Sequence, residues 1–132
     1  MIFVDTSAIY AILDRDDENH PDARDHWIRL LETPNILITT NYVLVESCAL
    51  AQHRLGISAV RAIQEDIVPV LTLCWMDENL HRLAATALLA AGRRKLSLVD
   101  CSSFAVMRQQ GIRRAFAFDK HFVEEGFRCN HF

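Results

Sequence analysis

The chain has 132 residues, 51% of them apolar and 23% charged, a composition that fits a folded domain and excludes a disordered segment. Its net charge of −3 withholds the global basic signature of a nucleic-acid binder, and no apolar stretch reaches the ~20 residues of a membrane helix. Cys48, Cys74, Cys101 and Cys129 stand singly with no C-x-x-C pair, which speaks against a zinc site and fits small buried hydrophobes.

In chain order, Ile2 to Val4 reads as a short buried strand and Thr6 to Leu13 as the helix after it. This opening run lacks a basic leader region and is interrupted by Asp5, so it is not read as a signal peptide; a cytoplasmic protein without disulfides is expected. A second helix opens at Asn19 or His20 with Pro21 in its first turn, and Trp27, Leu30 and Leu31 supply its apolar stripe. "ILITT" is rich in β-branched residues and predicts a second strand. Asn41, taken as a helix cap, begins a long helix that stops at Gly56.

Ser58 to Ile67 reads as an amphipathic helix and Val70 to Cys74, just after Pro69, as a third strand. Asp77 caps "ENLHRLAATALLAAG", and Ser97 to Gln110 forms another helix closed by Gly111. "AFAF" predicts a fourth strand and "FRCN" a fifth at a sheet edge. Strands alternating with helices over residues 1–132, with no repeat or linker, imply one domain with an α/β fold: an α/β/α sandwich around a mostly parallel sheet. In such sheets ligands gather beyond the carboxyl ends of the strands.

Against that frame four acids are out of place. Asp5 interrupts an apolar run, Glu46 lies in "YVLVESCAL", Asp100 in "LSLVDCSSFAV", and Asp119 directly follows "AFAF". Each of the three aspartates has a purely structural explanation. Asp5 and Asp119 stand where helix N-caps belong, and Ser97 with Asp100 matches a capping box. Glu46, a turn inside its helix, caps nothing; solvent exposure or a pairing with Arg54 is the structural alternative.

Taken together, the four lie at strand carboxyl ends or in the first turns of helices, which a parallel sheet gathers on one edge. Carboxylates brought together there repel one another, and a divalent cation relieves that repulsion. Hard ions such as Mg²⁺ or Mn²⁺ favour such oxygen donors, and helix N-termini beside them favour a phosphate. The chemistry implied is phosphodiester hydrolysis without a covalent nucleophile.

"IFVDTSAIYAIL", "TTNYVLVESCALAQ", "LSLVDCSSFAVMRQQGI" and "AFAFDKHFVEEGF" together resemble the ordered motifs of a PIN domain, and more narrowly the VapC-type ribonuclease toxins of toxin–antitoxin systems. The resemblance runs over essentially the whole chain. It implies a metal-dependent endoribonuclease on an α/β/α sandwich, with Asp5, Glu46, Asp100 and Asp119 as the acidic quartet. Asp5 and Asp100 would be direct ligands of Mg²⁺ or Mn²⁺, with Glu46 and Asp119 completing the pocket. Ser7 matches a small hydroxyl residue that orients a carboxylate or contacts phosphate. RNA as substrate, homodimerisation and a cognate antitoxin are implied as partners, with "VLVESCALAQ" and "SAVRAIQEDIV" as apolar segments able to meet the antitoxin.

The chain departs from the family pattern at Ala117, where many relatives carry Thr or Ser two residues before the last acid. The alternatives are a PIN nuclease of general RNA processing and a catalytically silent PIN-like module that only binds RNA or protein; the complete quartet argues against the latter. Asp14, Asp16 and Asp17 read as a solvated loop. Arg93, Arg94 and Lys95 either complement the end of the preceding helix or steer phosphates toward Asp100, and Lys120 and His121 beside Asp119 are further candidates for substrate contact.

Overall fold

The computed structural model describes residues 1–130. Its elements are β1 (Ile2–Val4), α1 (Thr6–Leu13), α2 (His20–Glu32), β2 (Leu37–Thr40), α3 (Asn41–Leu55), α4 (Ile57–Ala62), β3 (Thr72–Cys74), α5 (Glu78–Ala91), α6 (Leu98–Gln110), β4 (Arg114–Phe116), α7 (Lys120–Glu124) and β5 (Arg128–Cys129). The strands form one five-stranded sheet in the order β3-β2-β1-β4-β5, and every neighbouring pair is parallel.

Buried parallel strands must be apolar on both faces, and β1 is fully buried along its length. Right-handed crossovers place α1 to α4 on one face and α5 to α7 on the other. The helix packing agrees: α1 lies against α2 and α3, α3 against α4, and α5 against α6. Under α6 and α7 the core is aromatic, with Phe122 at 6.3 Å from Phe3, 5.0 Å from Phe104 and 6.4 Å from Phe127. Gly92 and Gly111 end α5 and α6 in the left-handed conformation (φ 62° and 68°) that glycine adopts without a Cβ clash.

Several boundaries differ from the sequence reading. The helix placed at Ser58 to Ile67 starts at Ile57, and after Ala62 the chain winds into a π-turn (Ile63–Ile67) and a 3-10 turn (Val68–Val70). Pro69 has no N–H to continue an α-helix, so β3 begins only at Thr72. β4 stops at Phe116, leaving Ala117 and Phe118 as a connector to Asp119, and β5 is confined to Arg128 and Cys129. In α2 the inward stripe is Ala23, Trp27 and Leu30, whereas Leu31 is half exposed because it falls off the i, i+4, i+7 face. All four cysteines are free; only Cys101 is buried, the others lying half-buried.

Candidate metal centre

Strand order reverses between β1 and β4: the chain leaves β1 toward β2 on one side and returns from β3 to β4 on the other. A crevice forms at such a switch point, beyond the carboxyl ends. Asp5 follows β1 there and Asp119 follows the β4 connector. The two ends are stitched together, Asp5 N–H donating to Phe116 O at 3.0 Å and Phe118 N–H to Ser7 Oγ at 2.9 Å.

Each aspartate does take part in a helix cap, Asp5 and Asp119 as the N-cap and Asp100 as the third residue of a capping box. Asp5 Oδ2 accepts from Ser7 N–H at 3.1 Å and from Ser7 Oγ–H at 2.7 Å. Asp100 Oδ2 accepts from Ser97 N–H at 3.1 Å while Asp100 N–H donates to Ser97 Oγ at 3.0 Å, closing the capping box. Asp119 Oδ1 accepts from His121 N–H at 2.9 Å. In all three only one carboxylate oxygen is committed to the cap. The other makes no hydrogen bond among the described residues, so capping and ligation are compatible roles.

The acids also feel one another. Burial, more than any other influence, pushes the Asp5 carboxyl up from 3.8 to about 7; hydrogen bonds from Ser7 oppose the rise, and the charges of Asp100 and Asp119 add to it. Burial also raises Glu46, which is half-buried on α3; the Thr6 hydroxyl draws it back, and Asp100 and Asp119 push it further. Asp100 is raised chiefly by burial and then by Asp119, against the hydrogen bonds from Ser97 and the charge of His121. Four carboxylates from four different segments therefore share one field.

His121, which the sequence reading placed only among candidate substrate contacts, is buried and belongs to this group. One ligand atom each from Asp100, Asp119 and His121 lies within 4.8 Å of the others. Its ring, however, is engaged with protein: Nε2 lies 3.3 Å from Lys95 O, and Nδ1 lies 3.2 Å from Glu124 Oε2 and 3.4 Å from Arg93 Nη2. The free donors facing the crevice are thus carboxylate oxygens, a set that fits a hard divalent cation better than zinc.

The remaining candidates sort as follows. Ser7 Oγ is taken up by Asp5 and Phe118, so it orients the site's backbone. Asn41 is not the cap of α3; Thr40 is, its Oγ1 accepting from Val43 N–H at 3.1 Å, while Asn41 Oδ1 accepts from Met76 N–H at 2.8 Å and ties down the segment after β3. Arg54 lies over the Tyr10 ring, and among the described residues no ion pair joins it to Glu46. Arg93 pairs with Glu124 at 3.0 Å, and Arg94, Lys95 and Lys120 remain exposed near the crevice. Of the loop acids Asp16 is exposed, while Asp14 and Asp17 are half-buried and Asp14 accepts from Tyr10 Oη–H at 2.7 Å.

Comparison with known proteins places this arrangement in context. The family model described as PIN domain matches residues 2–127. The chain is 37% identical over 128 residues, 96% of its length and 95% of the relative's, to the 23S rRNA-specific endonuclease VapC20 of Mycobacterium tuberculosis. The crystal structure of Mycobacterium tuberculosis VapC20, a sarcin–ricin loop cleaving toxin, superposes with a TM-score of 0.86 at 34% identity, covering 96% of each chain. FitAcB from Neisseria gonorrhoeae superposes with a TM-score of 0.66 at 13% identity, covering 98% of this chain and 96% of that one, a likeness of fold alone.

Proposed function

Because the chain belongs to the PIN domain family, we propose that it is a metal-dependent endoribonuclease that hydrolyses RNA phosphodiester bonds and serves as the toxin of a toxin–antitoxin pair. The observation that supports this reading most is the convergence of Asp5, Glu46, Asp100 and Asp119 at the switch point, with cap hydrogen bonds fixing the three aspartates and leaving one oxygen of each free. The similarity to an endonuclease named for 23S rRNA makes ribosomal RNA, and its sarcin–ricin loop in particular, the first substrate to test.

In this reading Asp5 and Asp100 hold Mg²⁺ or Mn²⁺ directly, and Glu46 and Asp119 complete the donor set. Such an ion, when bound, supplies a nucleophilic water at neutral pH and polarises the phosphoryl oxygen. The chain's own residues do the rest. The Ser7 hydroxyl and the Ser97 capping box hold the Asp5 and Asp100 carboxylates against rotation. The Glu46 carboxylate, raised by burial, suits acceptance of a proton from the attacking water. Exposed Lys120 and Arg94 flank the acids and offset repulsion between them and the phosphate backbone.

An apolar groove of about 570 Å³ runs along α3, with Leu44, Val45, Val68, Leu73 and Trp75 among its lining residues, and Val45 and Trp75 are each 69% exposed. This groove is our candidate for antitoxin contact. Action on RNA in the cytoplasm is part of this reading, and homodimerisation is to be checked by light scattering; among the described residues no helix is long and apolar enough to cross a membrane. The decisive experiment incubates the protein with ribosomal RNA and Mg²⁺ or Mn²⁺, beside Asp5→Asn and Asp100→Asn. Metal-dependent cleavage by the parent and its loss in both variants are expected; cleavage that survives chelation or both substitutions overturns the mechanism.

A further inference from the structure

The amino-terminal edge of the sheet, away from the carboxylates, carries the opposite charge. Arg114 opens β4 and Arg128 opens β5, and the two are paired in register, which puts their side chains on the same face about 4.8 Å apart. Arg113 precedes them, its carbonyl accepting from Arg128 N–H at 2.9 Å. Like charges directly opposite on neighbouring strands repel. Yet none of these three arginines has an ion-pair partner among the described residues, and the neighbouring Glu125 is already paired with Arg108 at 2.6 Å. Together with Gly126 and Phe127 they line a cavity of about 550 Å³, and nothing lies within 4 Å of the place a Cβ on Gly126 would take.

Resting on the ribonuclease reading, we infer that this pocket is a second RNA-contact site, in which Arg113, Arg114 and Arg128 hold backbone phosphates of a structured RNA whose scissile bond lies at the carboxylate edge. Guanidinium forks match phosphate oxygens in geometry, and a repeating polyanion satisfies three adjacent forks at once. The position also fits. β4 runs from Arg114 to Phe116 and its connector leads on to Asp119, so pocket and acids lie beyond opposite ends of one strand, at most roughly 16 Å apart along the chain at ~3.3 Å per residue. β5 is the edge strand, so no further strand separates the pocket from solvent on that side. A chain of net charge −3 with an acidic catalytic edge gains from attraction for RNA beyond that offered by Lys120 and Arg94, and this cluster supplies it.

The test measures binding of a structured RNA hairpin over a range of salt concentrations, in chelator so that no cleavage occurs, together with metal-dependent cleavage of a short single-stranded oligonucleotide. Arg114→Gln and Arg128→Gln, singly and together, are expected to weaken hairpin binding several-fold per site. The salt slope should fall by about 0.7–0.9 for each arginine removed, while oligonucleotide cleavage stays at the parent level and the melting temperature does not fall. Arg114→Lys and Arg128→Lys, which keep the charge, retain the slope and guard against a folding defect. Unchanged hairpin affinity and slope in the double variant overturn the inference. So does loss of binding to an acidic protein partner without any loss for RNA. A parent protein that binds the hairpin through these arginines but cleaves nothing overturns the ribonuclease reading and leaves the pocket standing.

Discussion

The side-chain amide of Asn130 closes on the backbone of Ala117 at two points: Oδ1 accepts from Ala117 N–H at 3.2 Å and Nδ2 donates to Ala117 O at 2.9 Å. β4 and β5 have ended by then, and the amide replaces the next rung of their ladder. From the other side the Ser7 hydroxyl accepts from Phe118 N–H at 2.9 Å. The connector leading to Asp119 is thus held by side chains on both flanks, which offsets the hydroxyl that Ala117 lacks.

Asn130 sits in the left-handed region at φ 62°, where glycine also fits without strain. Asn130→Gly should therefore remove the clamp alone, lowering stability by about 1–2 kcal/mol and reducing RNA cleavage several-fold through looser placement of Asp119. Asn130→Asp should fare no better, because a carboxylate has no N–H for Ala117 O. Thermal melts and kcat/KM on one RNA check this; full activity in Asn130→Gly would show that Asp119 needs no such support.

Replacing Asp5 or Asp100 by Asn should lower cleavage by about 100-fold or more, the scale of losing a preorganised electrostatic group, while the fold persists. Asn keeps an acceptor oxygen for the cap bonds from Ser7 and Ser97. Circular dichroism and single-turnover cleavage are the measurements. Ser7→Ala should reduce kcat with little change in KM, since the hydroxyl is engaged with Asp5 and Phe118.

Acid in the folded chain acts in a defined direction. The Asp5 carboxyl titrates at about 7 when folded, against an ordinary value of 3.8. Between those values the folded state holds the extra proton, so the contribution of this group to metal-free stability is present below about pH 4 and lost as pH rises through about 7. In chelator, Asp5→Asn should gain on the parent in melting temperature across that window. A constant difference between the two would refute the assignment.

Cation binding needs the ionised carboxylates, so affinity for Mn²⁺ should rise with pH through the same window. Saturating metal should also stabilise the fold, by about 2.7 kcal/mol at a hundredfold excess over Kd. Calorimetric titration and melts with and without Mn²⁺ read both effects; Asp5→Asn should show neither in full.

In the core, Phe122 is fully buried against Phe3, Phe104 and Phe127 and lies one helix turn from Asp119. Phe122→Ala should cost about 3–5 kcal/mol, read as a lowered denaturant midpoint.

Much of this was legible locally. "IFV" before Asp5, Ser97 three residues before Asp100 and the glycines at 92 and 111 mark strand, cap and stop, because capping and backbone freedom depend on a few adjacent residues. Boundaries failed where long-range pairing decides them. "AFAF" has uniform strand character, yet β4 ends at Phe116 because the next backbone groups meet the side chains of Asn130 and Ser7. The role of Asn41 is hidden from local sequence for the same reason, since its partner Met76 lies 35 residues away.

The sequence by itself determined which acids stand in apolar surroundings, and through the ordered motifs around them the family. Only the tertiary structure decided that one oxygen of each aspartate is left free, that His121 joins Asp100 and Asp119 with its ring nitrogens engaged by protein partners, and that three arginines gather on the far edge. Those facts depend on the order β3-β2-β1-β4-β5, which brings residues more than a hundred positions apart to one switch point. Local composition carries no record of that order, because it is set by how the whole chain buries its apolar faces.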